Sequence, residues 1–272
     1  MPRVACCTPL PSAGISRCAA PGCCLYSSLL AYRRGARTIR HRSPTPRSSR
    51  FKTDGKQLAY IRGASIAVLD LDTDETRIMY EGGASQPVYP PDGSTIAFMS
   101  GGSISLMNTD GSDVRVIAQE EAALMEASSP DGSRVLYTVG GYILEVPVTG
   151  GESEVLLRDE FWNADPVYSP DGSTLLFSSN RGGNNGSETY SMPAGGGEIT
   201  PLTETYSVHP AFTPDGSRIV YTRATTLAGE LVTDISTPSS PELATMAPDG
   251  SDQKRLTPRS ISAQMPSVGG GQ

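Results

Sequence analysis

Beyond its first fifty residues the chain has a single histidine, His209. A neutral imidazole can act as a base or a metal ligand near neutral pH. His209 stands directly before Pro210, the place that Gln86 holds before Pro87 and Asp165 before Pro166, and Gln264 opens a similar segment near the C-terminus. Gln86, Asp165, His209 and Gln264 therefore form the candidate binding set, expected at the mouth of a channel if their segments converge. The competing reading of His209 is structural, since repetition alone explains its position. Five aspartates, Asp54, Asp92, Asp131, Asp171 and Asp215, each precede a glycine. They look like a carboxylate set, but an Asp-Gly pair is turn chemistry, in which the carboxylate binds nearby backbone N–H groups.

No catalytic residue, metal ligand or cofactor is assigned. The chain has neither a Gly-x-Ser-x-Gly nucleophile elbow nor a His-Glu-x-x-His zinc motif. The stretch Asn180-Arg181-Gly182-Gly183-Asn184-Asn185-Gly186-Ser187-Glu188 is Gly-rich. A phosphate cradle must lead into a helix N-terminus, whereas this stretch joins two strand-like segments and reads as an exposed hairpin.

The positioning elements come from a repeat. The turn signal recurs as Thr53-Asp54-Gly55, Pro91-Asp92-Gly93, Pro130-Asp131-Gly132, Pro170-Asp171-Gly172 and Pro214-Asp215-Gly216, with its aspartates 38, 39, 40 and 44 residues apart. Proline presets φ, aspartate binds the local backbone, and glycine takes the left-handed place that closes a hairpin. After each turn comes a short strand: Leu58-Ala59-Tyr60, Ile96-Ala97-Phe98, Val135-Leu136-Tyr137, Leu175-Leu176-Phe177 and Ile219-Val220-Tyr221. Its first place is aliphatic, its third aromatic and its middle apolar. Both faces of such a strand are buried, as between stacked sheets. A further strand precedes the turn, as in Pro87-Val88-Tyr89, and two more follow, as in Ile104–Met107 and Val114–Ile117. Four short strands every forty or so residues predict an all-β fold, a β-propeller of about five four-stranded blades. A sandwich with evenly spaced turns would not keep five copies in phase.

The run Ser169-Pro170-Asp171-Gly172-Ser173 through Leu176-Phe177-Ser178-Ser179-Asn180-Arg181-Gly182-Gly183, closing at Pro201-Leu202-Thr203, resembles the TolB-type (WD-like) propeller repeat. So does Thr213-Pro214-Asp215-Gly216, with Ala247-Pro248-Asp249-Gly250-Ser251 and Lys254-Arg255-Leu256-Thr257 at its end. The resemblance covers residues 51 to about 268. It implies a non-catalytic binding or scaffolding propeller with a protein partner, monomeric, in a periplasmic or extracytoplasmic setting. The alternative it implies is the gating part of a prolyl-oligopeptidase-like peptidase whose catalytic domain lies elsewhere. The separate N-terminal α/β domain of TolB itself has no counterpart here. The family's propellers commonly have six or more blades. The five counted here, approximately 51–84, 85–122, 123–158, 159–205 and 206–258, either close through a latch strand at 264–268 or leave a six-bladed ring incomplete. The first blade shows no clear inner strand, because Ser48-Ser49-Arg50-Phe51 is polar.

Residues 1–50 read as a separate head, a disordered tail, a targeting segment or sequence upstream of the true start. The head holds nine Arg, no Asp or Glu, and all five cysteines, against a net charge of −16 for the remainder. Its Cys6-Cys7 and Cys23-Cys24 pairs have spacing too irregular for a zinc site, and it carries no clean signal peptide. The acidic remainder excludes nucleic-acid backbone as a partner, and no run of apolar residues is long enough for a membrane-spanning helix. Two features mark possible contact places. Thr222 to Pro241 is an insertion that makes the last unit longest, and Trp162, the sole tryptophan, is expected to pack between blades.

Overall fold

The computed structural model describes residues 49–52, 54–258 and 262–263. They belong to a compact unit, Ser43–Gln272. The head, the latch segment 264–268 and Gln264 lie outside the described residues, apart from the head's last two positions. The described chain folds into five four-stranded antiparallel sheets, each a meander in sequence order. The first comprises β1 (Ser49–Phe51), β2 (Gln57–Arg62), β3 (Ser65–Asp70) and β4 (Thr76–Glu81). The second comprises β5 (Ala84–Val88), β6 (Thr95–Ser100), β7 (Ser103–Asn108) and β8 (Arg115–Gln119). The third comprises β9 (Leu124–Ser128), β10 (Arg134–Val139), β11 (Tyr142–Pro147) and β12 (Glu154–Leu157). The fourth comprises β13 (Asn163–Tyr168), β14 (Thr174–Ser179), β15 (Glu188–Pro193) and β16 (Thr200–Pro201). The fifth comprises β17 (Ser207–Phe212), β18 (Ile219–Thr225), β19 (Ser240–Met246) and β20 (Lys254–Arg255). Each sheet stacks on the next, and the first strands of successive sheets meet, so these strands converge on one axis.

One expectation is corrected. The first sheet does have an inner strand, because Ser49–Phe51 pairs antiparallel with Leu58–Tyr60. A three-residue edge strand is held by main-chain bonds, which need no apolar pattern.

The turn between first and second strands has the expected chemistry. Gly55, Gly93, Gly132, Gly172 and Gly216 all have φ between 61° and 74°, the region glycine enters without steric cost. Asp92 Oδ1 accepts the Ser94 N–H at 3.0 Å, and Asp54, Asp131, Asp171 and Asp215 accept equivalently. Ser129, Ser169 and Thr213 add a hydroxyl donor to Asp131, Asp171 and Asp215, holding those carboxyls down at about 2. All five are therefore occupied as acceptors within their own turns.

The second-strand motif fixes how sheets stack. Its aromatic place faces the preceding sheet: Phe98 meets Tyr80 with ring centroids 4.7 Å apart, and Tyr221 clusters with Leu176 and Leu202. Its middle place faces the following sheet, as Leu136 clusters with Leu175 and Phe177. Burying one such side chain fully contributes about 1.5–3 kcal/mol.

Candidate functional site

Three of the four sequence candidates occupy one kind of position. Gln86, Asp165 and His209 sit where the innermost strand bulges, between Ser85 and Val88, Ala164 and Val167, and Val208 and Ala211. Their φ angles are 52°, 53° and 54°, a left-handed conformation uncommon for residues other than glycine. Holding it costs of order 1–3 kcal/mol and persists only where surroundings enforce it. The following proline favours extended backbone before it, so the strain is not local in origin.

The side chains show what enforces it. Gln86 Oε1 accepts the backbone N–H of Met125, on the inner strand of the next sheet, at 3.0 Å. Asp165 Oδ2 accepts the backbone N–H of His209, again on the next inner strand, at 3.4 Å. It also accepts the Ser178 hydroxyl at 3.1 Å, and its Oδ1 lies 3.7 Å from His209 Nε2. In the second and fourth sheets the bulge thus aims an acceptor sideways at the next inner strand. Asp165 and His209 are brought together, with side chains only 11% and 17% exposed. Gln86 is joined to Met125 instead. The third sheet also bulges, at Glu126, where the register shifts between Leu136 and Tyr137. It escaped sequence reading because Glu126 itself stands where Pro87, Pro166 and Pro210 mark the other three, and Met125 takes the place of Gln86. Among the described residues no group of three or more His, Cys, Asp or Glu is gathered as metal ligands would be.

A second region carries more exposed chemistry. In a meander the second-to-third connections and the linkers between sheets lie at the same end. In the first three sheets the former are two residues long, but they extend over Asn180–Ser187 in the fourth and Thr226–Ser239 in the fifth. Part of the predicted Thr222–Pro241 insertion is strand. The two long connections are bonded together: the Ile235 N–H donates to Asn185 O at 2.7 Å, and Asn185 Nδ2 donates to Asp234 Oδ1 at 2.9 Å. The Tyr206 N–H donates to Val232 O at 2.7 Å. Asn180 Oδ1 in turn accepts the Trp162 N–H at 2.8 Å.

Arg181 anchors the fourth connection from beneath. It pairs with Asp159 at 2.9 Å, donates to Asn163 Oδ1 at 2.9 Å, and lies 5.2–5.3 Å from the rings of Phe161, Phe177 and Tyr190. Such a stack suits a planar guanidinium. The simple hairpin expected here is thus a pinned platform. It displays Leu227, Leu231 and Ile235, 95%, 43% and 53% exposed, and Trp162 is 57% exposed rather than packed between blades. Beside it, an open groove of about 390 Å3 runs between Leu231 and the linker Leu202-Thr203-Glu204-Thr205.

No protein-family model and no curated protein matches the sequence. Solved structures do match by fold. The structure described as TolB from Agrobacterium tumefaciens superposes with a TM-score of 0.65 at 21% identity, over 78% of this chain and 80% of that one. The fold is that of a TolB-type β-propeller. The nidogen/laminin complex matches with a TM-score of 0.58 at 15% identity over 79% of this chain and 82% of that one. Oligogalacturonate lyase in complex with manganese matches with a TM-score of 0.57 at 18% identity, over 76% and 63%. The TolB-type fold is therefore shared by proteins of different activity, and function must be argued from the site.

Proposed function

We propose that this propeller is a non-catalytic scaffold that binds a protein partner at the end formed by its linkers and two long connections. The observation that carries the reading is the pinned platform with its exposed Trp162, Leu227, Leu231 and Ile235. Exposed apolar side chains on an ordered, polar-rimmed surface mark interaction sites, and tryptophan is the residue type most enriched among binding hot spots. The linkers and the fifth sheet's long connection, at the same end, carry the exposed acids Glu121, Glu160, Glu204 and Glu230, so the partner's matching segment carries basic and apolar side chains. The polar residues of the converging strands support the same reading from the other side. Gln86 and Asp165 are engaged in joining sheets, and their geometry is accounted for without chemistry. The likeness to the nidogen/laminin complex agrees with an interaction role.

The test compares the full chain with a Trp162→Ser/Leu231→Asp double variant in cross-linking from the native host, with the melting temperature of both recorded. A partner captured by the parent and lost by an equally stable variant supports the reading. An identical capture profile for both contradicts it.

A further inference from the structure

The first and fifth sheets differ from the others in one respect. In the second to fifth sheets the aliphatic and aromatic places of the second strand are sealed by the preceding sheet: Ile96, Phe98, Val135, Tyr137, Leu175, Phe177, Ile219 and Tyr221 are all at most 1% exposed. Their counterparts in the first sheet, Leu58 and Tyr60, are only half-buried. The middle place tells the same story from the opposite side. Ala59, Ala97, Leu136 and Leu176 are 0% exposed beneath the following sheet, whereas Val220 of the fifth sheet is half-buried, as is Leu243, which pairs with Thr222 two residues beyond Val220. An apolar gap thus separates the fifth sheet's outgoing face from the first sheet's incoming face.

The chain leaves the fifth sheet as it leaves the fourth. The Leu202 N–H donates to Thr189 O at 2.9 Å, and Thr203 Oγ1 accepts the Thr189 N–H at 3.0 Å. One repeat later the Leu256 N–H donates to Leu243 O at 2.8 Å, and Thr257 Oγ1 accepts the Leu243 N–H at 3.0 Å. The inner strands of the second, fourth and fifth sheets then begin with one bond to the residue before the previous sheet's third strand. Ala84 donates to Ala64 O at 3.0 Å, Asn163 to Gly141 O at 3.2 Å and Ser207 to Ser187 O at 2.8 Å. Ala263 donates to Pro241 O at 3.0 Å, and Pro241 is the equivalent residue, preceding Glu242 as Ser187 precedes Glu188. Ala263 therefore stands where Ala84, Asn163 and Ser207 open their sheets.

We propose that the segment Gln264–Val268 enters this gap as the innermost strand of a sixth sheet, lying between the face of Val220 and Leu243 and the face of Leu58 and Tyr60. The junction also fixes its phase. Two residues beyond the opening residue lie Gln86, Asp165 and His209, each followed by proline; two beyond Ala263 lies Met265, followed by Pro266. The bulge place in this strand belongs to Met265, with Gln264 one position earlier.

Peptide-resolved hydrogen exchange on the full chain tests the assignment. Amides of residues 264–268, Pro266 aside, should exchange at least about tenfold slower than unstructured peptide, in a species that runs as a monomer. In Val220→Asp that protection should disappear while the second to fourth sheets keep theirs. Should Val220→Asp fail to fold, Tyr60→Ser on the facing sheet serves instead. Exchange of 264–268 at the unstructured rate overturns the proposal. So does protection that appears only in a dimer, which would give the gap to a second copy, or protection unchanged in a folded variant.

Discussion

Asp165 Oδ2 accepts the backbone N–H of His209 across the boundary between the fourth and fifth sheets, at 3.4 Å, while both residues hold φ near +53°. The two side chains that most resemble an acid–base pair are thus part of how inner strands are joined. Gln86 makes the equivalent bond to Met125 two sheets earlier, so the relationship follows from position in the repeat and not from the imidazole.

Asp165→Ala should therefore destabilise the fold. It removes the acceptor of the His209 N–H and the Ser178 hydroxyl, and leaving such donors unmet costs about 1–3 kcal/mol. Asp165→Asn keeps an acceptor oxygen and tolerates the left-handed backbone, so it should recover most of the loss. His209→Asn should stay within about 1 kcal/mol of the parent. Thermal melts of the three variants check the order; a large loss in His209→Asn alone would contradict it.

Three glycines separate a steric role from a conformational one. A Cβ on Gly111 would lie 2.7 Å from Met79 O on the preceding sheet, and one on Gly250 would lie 2.7 Å from Leu202 O in the linker that follows the preceding sheet. Gly101 has φ of 58° and nothing within 4 Å of such a Cβ. Gly101→Ala should cost about 1 kcal/mol, from backbone strain alone. Gly111→Ala should cost more than twice that, because neighbouring backbone must move as well. Chemical denaturation curves of the two variants give the comparison.

How much of this was legible depends on how each feature is encoded. The sheets' second strands could be read because Pro-Asp-Gly and the aliphatic–apolar–aromatic triplet must recur wherever sheets stack on both faces. Ser49–Phe51 could not, since its pairing rests on main-chain bonds. The bulge at Glu126 was hidden because Glu126 replaces the proline that marks the other three. The platform was underestimated for a different reason: Asn185, Asp234 and Arg181 act through partners up to 49 residues away, which local pattern does not reveal.

Acid should weaken the fold over a defined window. Asp131, Asp171 and Asp215 are held at about 2 by hydroxyl and backbone donors, against an ordinary value of 3.8. Their folded-state values are depressed, so their contribution is complete above about pH 4 and is lost as pH falls toward 2. Replacing Ser129, Ser169 and Thr213 with alanine removes the leading donor from each turn and should flatten this acid limb, as read from melting temperature between pH 5 and 2.

Alkali should act through buried tyrosines. Tyr89, Tyr137 and Tyr190 are pushed up to about 12, mainly by burial. With folded values raised, stability is fully present below pH 10 and is lost as pH rises from 10 to 12. Absorbance titration of phenolate in the folded chain should show these groups ionising only as the fold is lost.

The central claim, that five in-phase repeats stack into one β-propeller unit, is tested most directly by far-ultraviolet circular dichroism of the full chain followed through a thermal melt. The account predicts a β-sheet spectrum without helical minima and a single cooperative transition, because every sheet buries its second strand against a neighbour. A helical spectrum, or a gradual loss of signal with no transition, would contradict it.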